Sequence, residues 1–76
     1  VAAGDRGAPS APVQLSPREL DVLACAALGS TNAQIAQELA LKETTVKSYL
    51  AAAMAKLEAT TRHAAVAKAR RARLLP

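Results

Sequence analysis

Alanine supplies 20 of the 39 apolar side chains in this 76-residue sequence, and Tyr49 is the only aromatic residue. Side chains this small fill little volume, so the elements that carry them must approach closely, and short helices packed on one another do so best. Strands favour β-branched and aromatic residues, which are scarce here, and this argues against a sandwich or barrel. The chain reads as all-α. At this length one modest core is available, with no room for a second domain or a deep enzyme cleft.

Catalysis finds no support in the residues. There is no nucleophile with a base, no carboxylate pair and no phosphate loop, and no Cys/His cluster has metal-ligand spacing. The reading is therefore not an enzyme, with no cofactor and no metal. Cys25 cannot close an intramolecular disulfide, and with no basic neighbour it reads as a small packing residue. His63 stands alone and reads as exposed or dimer-facing, and Met54 as core filler. Apolar stretches fall far short of the roughly 20 residues that cross a bilayer, and no signal-type segment is present. A cytoplasmic chain with no membrane partner is expected.

Charge is divided unevenly. Residues 1–41 carry Arg6 and Arg18 against Asp5, Glu19, Asp21 and Glu38, a net −2. Residues 42–76 carry Lys42, Lys47, Lys56, Arg62, Lys68, Arg70, Arg71 and Arg73 against Glu43 and Glu58, a net +6. Such a concentration of positive potential points to a polyanion, with nucleic acid ahead of an anionic membrane.

Residues 1–14 (VAAGDRGAPSAPVQ) hold two of the three glycines and two of the four prolines, and read as a disordered linker or a cloning remnant ahead of a domain at 15–75. Ser16-Pro17-Arg18-Glu19 is a capping box with proline at the first helical position. It starts a helix over about 17–28, with Leu20, Leu23, Ala24 and Ala27 on its apolar stripe, Leu15 as a staple and Gly29 as a left-handed stop. Thr31 and Gln34 form a second box, followed by Ile35, Ala36 and Leu39. The apolar phase resumes at Val46, Leu50, Ala53 (or Met54) and Leu57, which defines a third helix over about 43–57. Thr61 caps a fourth, with Ala65, Val66, Ala69 and Ala72 as its small face and cations in its last turns.

A short helix, a turn of about three residues and a longer helix make a helix-turn-helix when the second helix keeps one face free for the major groove. With Val46, Leu50 and Leu57 inward, Thr44, Lys47, Ser48, Ala51 and Ala55 fall on the opposite side. Lys47 can donate to guanine or phosphate, Ser48 can pair with several base edges, and alanine methyls can lie against thymine methyls. Thr44 and Thr45, with the free amides of the first turn, suit phosphate oxygens, and Asn32 could grip the flanking strand. Taken singly, each has a plainer explanation, since a threonine near a helix start is often only a cap and an exposed lysine is usually only solvated. Their joint placement is what points to DNA.

These segments resemble the LuxR/GerE-type helix-turn-helix domain, the carboxy-terminal DNA-binding module of many bacterial response regulators and quorum-sensing activators. The likeness is carried by LSPRELDVL at 15–23, Gly29, TNAQIAQEL at 31–39, ETTVKSYL at 43–50, AKLEA at 55–59 and TRHAAV at 61–66. It implies a four-helix bundle that binds double-stranded DNA as a homodimer through the fourth helix, from about Thr61 to Arg73. It implies base reading by Thr44, Lys47, Ser48 and Ala51, and phosphate contacts by Asn32, Thr45 and Tyr49. An amino-terminal receiver or ligand-binding domain would complete the protein, the receiver being favoured, with RNA polymerase as a further partner. Four positions depart from the family pattern: Lys42 where Ser or Thr is usual, Ala33 where a basic residue is frequent, Tyr49 where His is common, and Glu58 where Gly is usual.

Arg62 opens the fourth helix, where a cation opposes the macrodipole, so it is expected to pair with Glu19 or with a DNA phosphate. Two further functions compete with a response-regulator output domain. One is the corresponding domain of a quorum-sensing regulator, and the other is a helical protein-interaction module that docks through its alanine-rich fourth helix.

Overall fold

A computed structural model describes residues 13–76, so the expected linker at 1–14 lies outside the described residues except for its last two positions. Val13, one of those two, packs against the core. The described chain forms four helices: α1 (Pro17–Ala27), α2 (Asn32–Leu39), α3 (Glu43–Lys56) and α4 (Arg62–Arg71).

Three of the four helix starts are built by side chains. The Ser16 hydroxyl accepts from the Glu19 amide at 3.2 Å, while the Glu19 carboxylate accepts from the Ser16 amide at 2.8 Å. Thr31 and Gln34 repeat the exchange at 3.2 and 2.8 Å, and Thr61 accepts from the Ala64 amide at 3.0 Å. Each satisfies amides that the first turn leaves without a backbone partner. Only α3 lacks such a bond, because Lys42 occupies its cap position and offers no acceptor.

The four helix ends share one geometry. After α1, α2, α3 and α4 a residue turns left-handed: Gly29 (φ 89°), Ala40 (φ 57°), Glu58 (φ 54°) and Arg73 (φ 61°). The following amide then reaches back five residues: Ser30 to Cys25 (3.2 Å), Leu41 to Ala36 (2.8 Å), Ala59 to Met54 (2.9 Å) and Leu74 to Ala69 (2.8 Å). This is the Schellman closure, which satisfies carbonyls orphaned at the helix end. Glycine takes the left-handed position only once.

The core gathers Val22, Leu23, Ile35 and Val46, all fully buried, with Leu50, Leu57, Ala65, Val66, Ala69 and Leu75 around them. The buried side of α1 is Glu19, Val22, Leu23 and Ala26, so it is rotated from the expected stripe, and Leu20, Ala24 and Ala27 are only half-buried. The rotation accompanies packing, since α1 rests on both α3 and α4 and buries Val22 and Ala26 in the shared core. Ala72, expected on the small face of α4, is exposed, and Leu75 from the tail closes the core instead. No helix among the described residues is long and apolar enough to cross a membrane.

Candidate nucleic-acid interface

The turn between α2 and α3 is residues 40–42, and its tightness comes from Ala40 adopting the left-handed conformation. It sets α3 directly across α2, with Val46 and Leu50 pointed into the core. Side chains three and four residues apart share a helix face, so the opposite stripe is Thr44, Lys47, Ser48, Ala51 and Ala55. All five are exposed. Among the described residues no other helix covers Lys47 or Ser48.

The flanks of the stripe differ. Thr45 and Tyr49 are half-buried, and Tyr49 packs its ring against the core. On the other side the stripe residues Lys47, Ala51 and Ala55 share one shallow depression with Asn32, Leu50, Met54, Ala59 and Thr60. Asn32 and Lys47 are thereby brought onto one surface, while Thr45 and Tyr49 lie outside the depression. Met54, read as core filler, is half-buried and gives part of its side chain to this outer surface. Without a side-chain cap, the first-turn amides of α3 remain available to an oxyanion.

Two contacts made by cations, one an ion pair and one a pair of hydrogen bonds to neutral acceptors, were not legible in the sequence. Lys56, in the last turn of α3, places Nζ 2.8 Å from Glu19 Oε1. Glu19 is buried, and the Lys56 ammonium, followed by the Ser16 amide, holds its carboxyl below the ordinary value. The expected Glu19–Arg62 pair is therefore not formed, because the carboxylate is already engaged by α3 and by its own cap. Arg62 instead donates from Nη1 to the Ser30 carbonyl (3.4 Å) and from Nη2 to Asn32 Oδ1. No single-helix pattern signals either contact, since each joins residues 30 or more positions apart.

The cations of α4 and of the residues just after it divide similarly. Lys68 donates to the Glu58 carbonyl at 2.7 Å and Arg70 to the Pro76 carbonyl at 3.2 Å, whereas Arg71 and Arg73 are exposed. His63 is exposed and Cys25 half-buried. Burial, then the Glu38 and Asp21 carboxylates, push the Cys25 thiol pKa upward.

A short helix, a three-residue turn and a longer helix with an exposed, partly basic face define a helix-turn-helix protein. The family model for bacterial regulatory proteins of the luxR family matches residues 13–69, and the chain belongs to that family of DNA-binding transcriptional regulators. It is 57% identical over 63 residues to the HTH-type transcriptional activator RamA of Corynebacterium glutamicum, covering 83% of this chain and 22% of that protein. It is 48% identical over 56 residues to the HTH-type quorum sensing-dependent transcriptional regulator RpaR of Rhodopseudomonas palustris, covering 74% and 23% respectively. The chain thus spans less than a quarter of the length of these curated relatives. Among solved structures, the response regulator ChrA of a heme-sensing two-component system superposes with a TM-score of 0.77 at 36% identity, over 92% of this chain and 33% of that one.

Proposed function

We propose that residues 15–75 bind specific double-stranded DNA sequences as a homodimer, forming the output domain of a cytoplasmic two-component response regulator. The observation that carries this reading is the exposed stripe of Thr44, Lys47, Ser48 and Ala51 on a helix held by a tight turn. In this reading those four side chains meet base edges, and Asn32, Thr45 and Tyr49 contact phosphates. Their residue types divide the work. Lys47 supplies charge and a donor, Ser48 a tolerant polar contact, and Ala51 a methyl suited to thymine.

Affinity then comes largely from phosphate neutralisation by the basic second half of the chain. The α4 surface, with its small residues, its exposed Arg71 and the exposed Arg73 just beyond its end, pairs with its copy about a two-fold axis. Likeness to ChrA supports a receiver-linked regulator. Likeness to RpaR supports the second reading, a quorum-sensing regulator with the same DNA chemistry but a ligand-binding partner domain.

Selection of bound duplexes from a random pool tests the proposal. An enriched motif with two half-sites is expected. Raising salt from about 50 to about 200 mM should weaken the complex by about a thousandfold or more if six or more phosphates are engaged. A pool without enrichment, or affinity indifferent to salt, would overturn it.

A further inference from the structure

Resting on the DNA-binding reading above, we infer that Arg62 is a positioning residue that turns the Asn32 side-chain amide outward as a phosphate donor. Arginine carries only donors, so the Asn32 atom that faces its guanidinium must be the carbonyl oxygen. The planar amide then leaves Nδ2, with two N–H groups, on the side away from Arg62. Among the described residues no acceptor engages that nitrogen.

The two residues also face different surfaces. Asn32 lines the depression beside Lys47 and Ala51 on the α3 side. Arg62 lines a separate groove with Ala26, Ala27, His63, Val66 and Arg70, which shares no residue with that depression. Its second prong, on the Ser30 carbonyl, fixes the guanidinium to the loop that leads into α2. A lysine could not span both acceptors with one planar fork. Arg62 thus serves the proposed DNA face through Asn32, and ties the start of α4 to the start of α2.

The test is a double-mutant cycle with the 76-residue chain and a mixed-sequence duplex, read by fluorescence anisotropy. Asn32→Ala and Arg62→Ala should each weaken binding by about tenfold, the scale of one hydrogen bond to a charged group, and the double variant should lose no more than either alone. Asn32→Asp, which accepts from Arg62 but has no donor, should keep the parental unfolding midpoint and bind at least as weakly as Asn32→Ala. Arg62→Lys, which keeps the charge but cannot hold both acceptors, should lose the same factor and keeps the test open if Arg62→Ala does not fold. Single losses that multiply in the double variant, or an Asn32→Asp chain that binds like the parent, would overturn the inference. Binding that survives Asn32→Ala but falls with Lys47→Ala removes this inference alone. A parent chain that binds no duplex removes the DNA reading as well.

Discussion

Lys56 Nζ sits 2.8 Å from Glu19 Oε1 and joins the last turn of α3 to the first turn of α1. The same carboxylate oxygen accepts from the Ser16 amide, so one group both caps α1 and clamps α3 to the bundle. The side chains are 8% exposed for Glu19 and 45% for Lys56, so the pair is half-screened by water. Lys56→Ala should cost about 1 kcal/mol, discounted for that screening, because it leaves a buried carboxylate with its cap alone. Urea unfolding at neutral pH measures the loss.

Acid should release the same energy. The folded-state pKa of Glu19 lies below its ordinary value of 4.5, so the native state favours the ionised form. The stabilisation is present in full above the unfolded value and disappears as pH falls through the folded one. Parent and Glu19→Gln chains should therefore differ most in unfolding free energy at neutral pH and converge as pH falls below 4.5 and through the lower folded-state value. Parallel curves across that range would refute the assignment.

Lys42 adopts the extended backbone of a helix cap (φ −74°, ψ 149°) without making the bond. Lys42→Ser supplies a hydroxyl acceptor at a position already in the required conformation, and should stabilise the domain by about 1 kcal/mol. Thermal unfolding should rise by roughly 4–8 °C for a domain this small.

How far the sequence could be read depended on the range of the interaction. Helix starts are local chemistry, so Ser16-x-x-Glu19 and Thr31-x-x-Gln34 were visible as boxes and form as such. The exposed stripe of α3 was legible because the inward spacing of Val46, Leu50 and Leu57 fixes its opposite face. Helix ends were harder: Gly29 marks a left-handed residue by its own chemistry and Glu58 only through the glycine usual at its position, while Ala40 and Arg73 carry no such mark and are drawn into that conformation by closure of the chain. Contacts between distant segments were invisible. Lys56 reaches Glu19 only once α3 has packed on α1, and Arg62 reaches Asn32 only once the start of α4 lies beside the start of α2.

Those ends offer their own test. A left-handed Glu58 costs roughly 1–2 kcal/mol relative to glycine, part of which glycine returns through its freedom in the unfolded chain. Glu58→Gly should net about 0.5–1 kcal/mol of stabilisation, since the Lys68 bond goes to the backbone carbonyl and survives the change. Chemical denaturation of the two chains reads the difference.

Cys25 should resist thiol reagents. Its pKa is raised by burial and by the Glu38 and Asp21 carboxylates, and the thiolate is the reactive species. At pH 7.5, labelling by a disulfide reagent should be slower in the folded chain than in urea, and a folded chain that reacts as fast as the unfolded one would contradict this placement.

Lys47 and Asn32 line one depression but do different work in the proposed complex, and their variants should separate. Lys47 stands on the exposed stripe with Ser48 and Ala51, where a donor reaches guanine O6 or N7. Its loss removes discrimination of about 1–3 kcal/mol at one base position and flattens the enriched motif there. Asn32 meets only phosphate in this reading, so Asn32→Ala should weaken selected and scrambled duplexes alike. Because its amide is neutral, the salt dependence should stay parental, whereas loss of a phosphate-bound lysine lowers the slope by about 0.9. Affinities for both duplexes across a salt series distinguish the two roles, and a Lys47→Ala chain with undiminished sequence preference would remove Lys47 from the base-reading set.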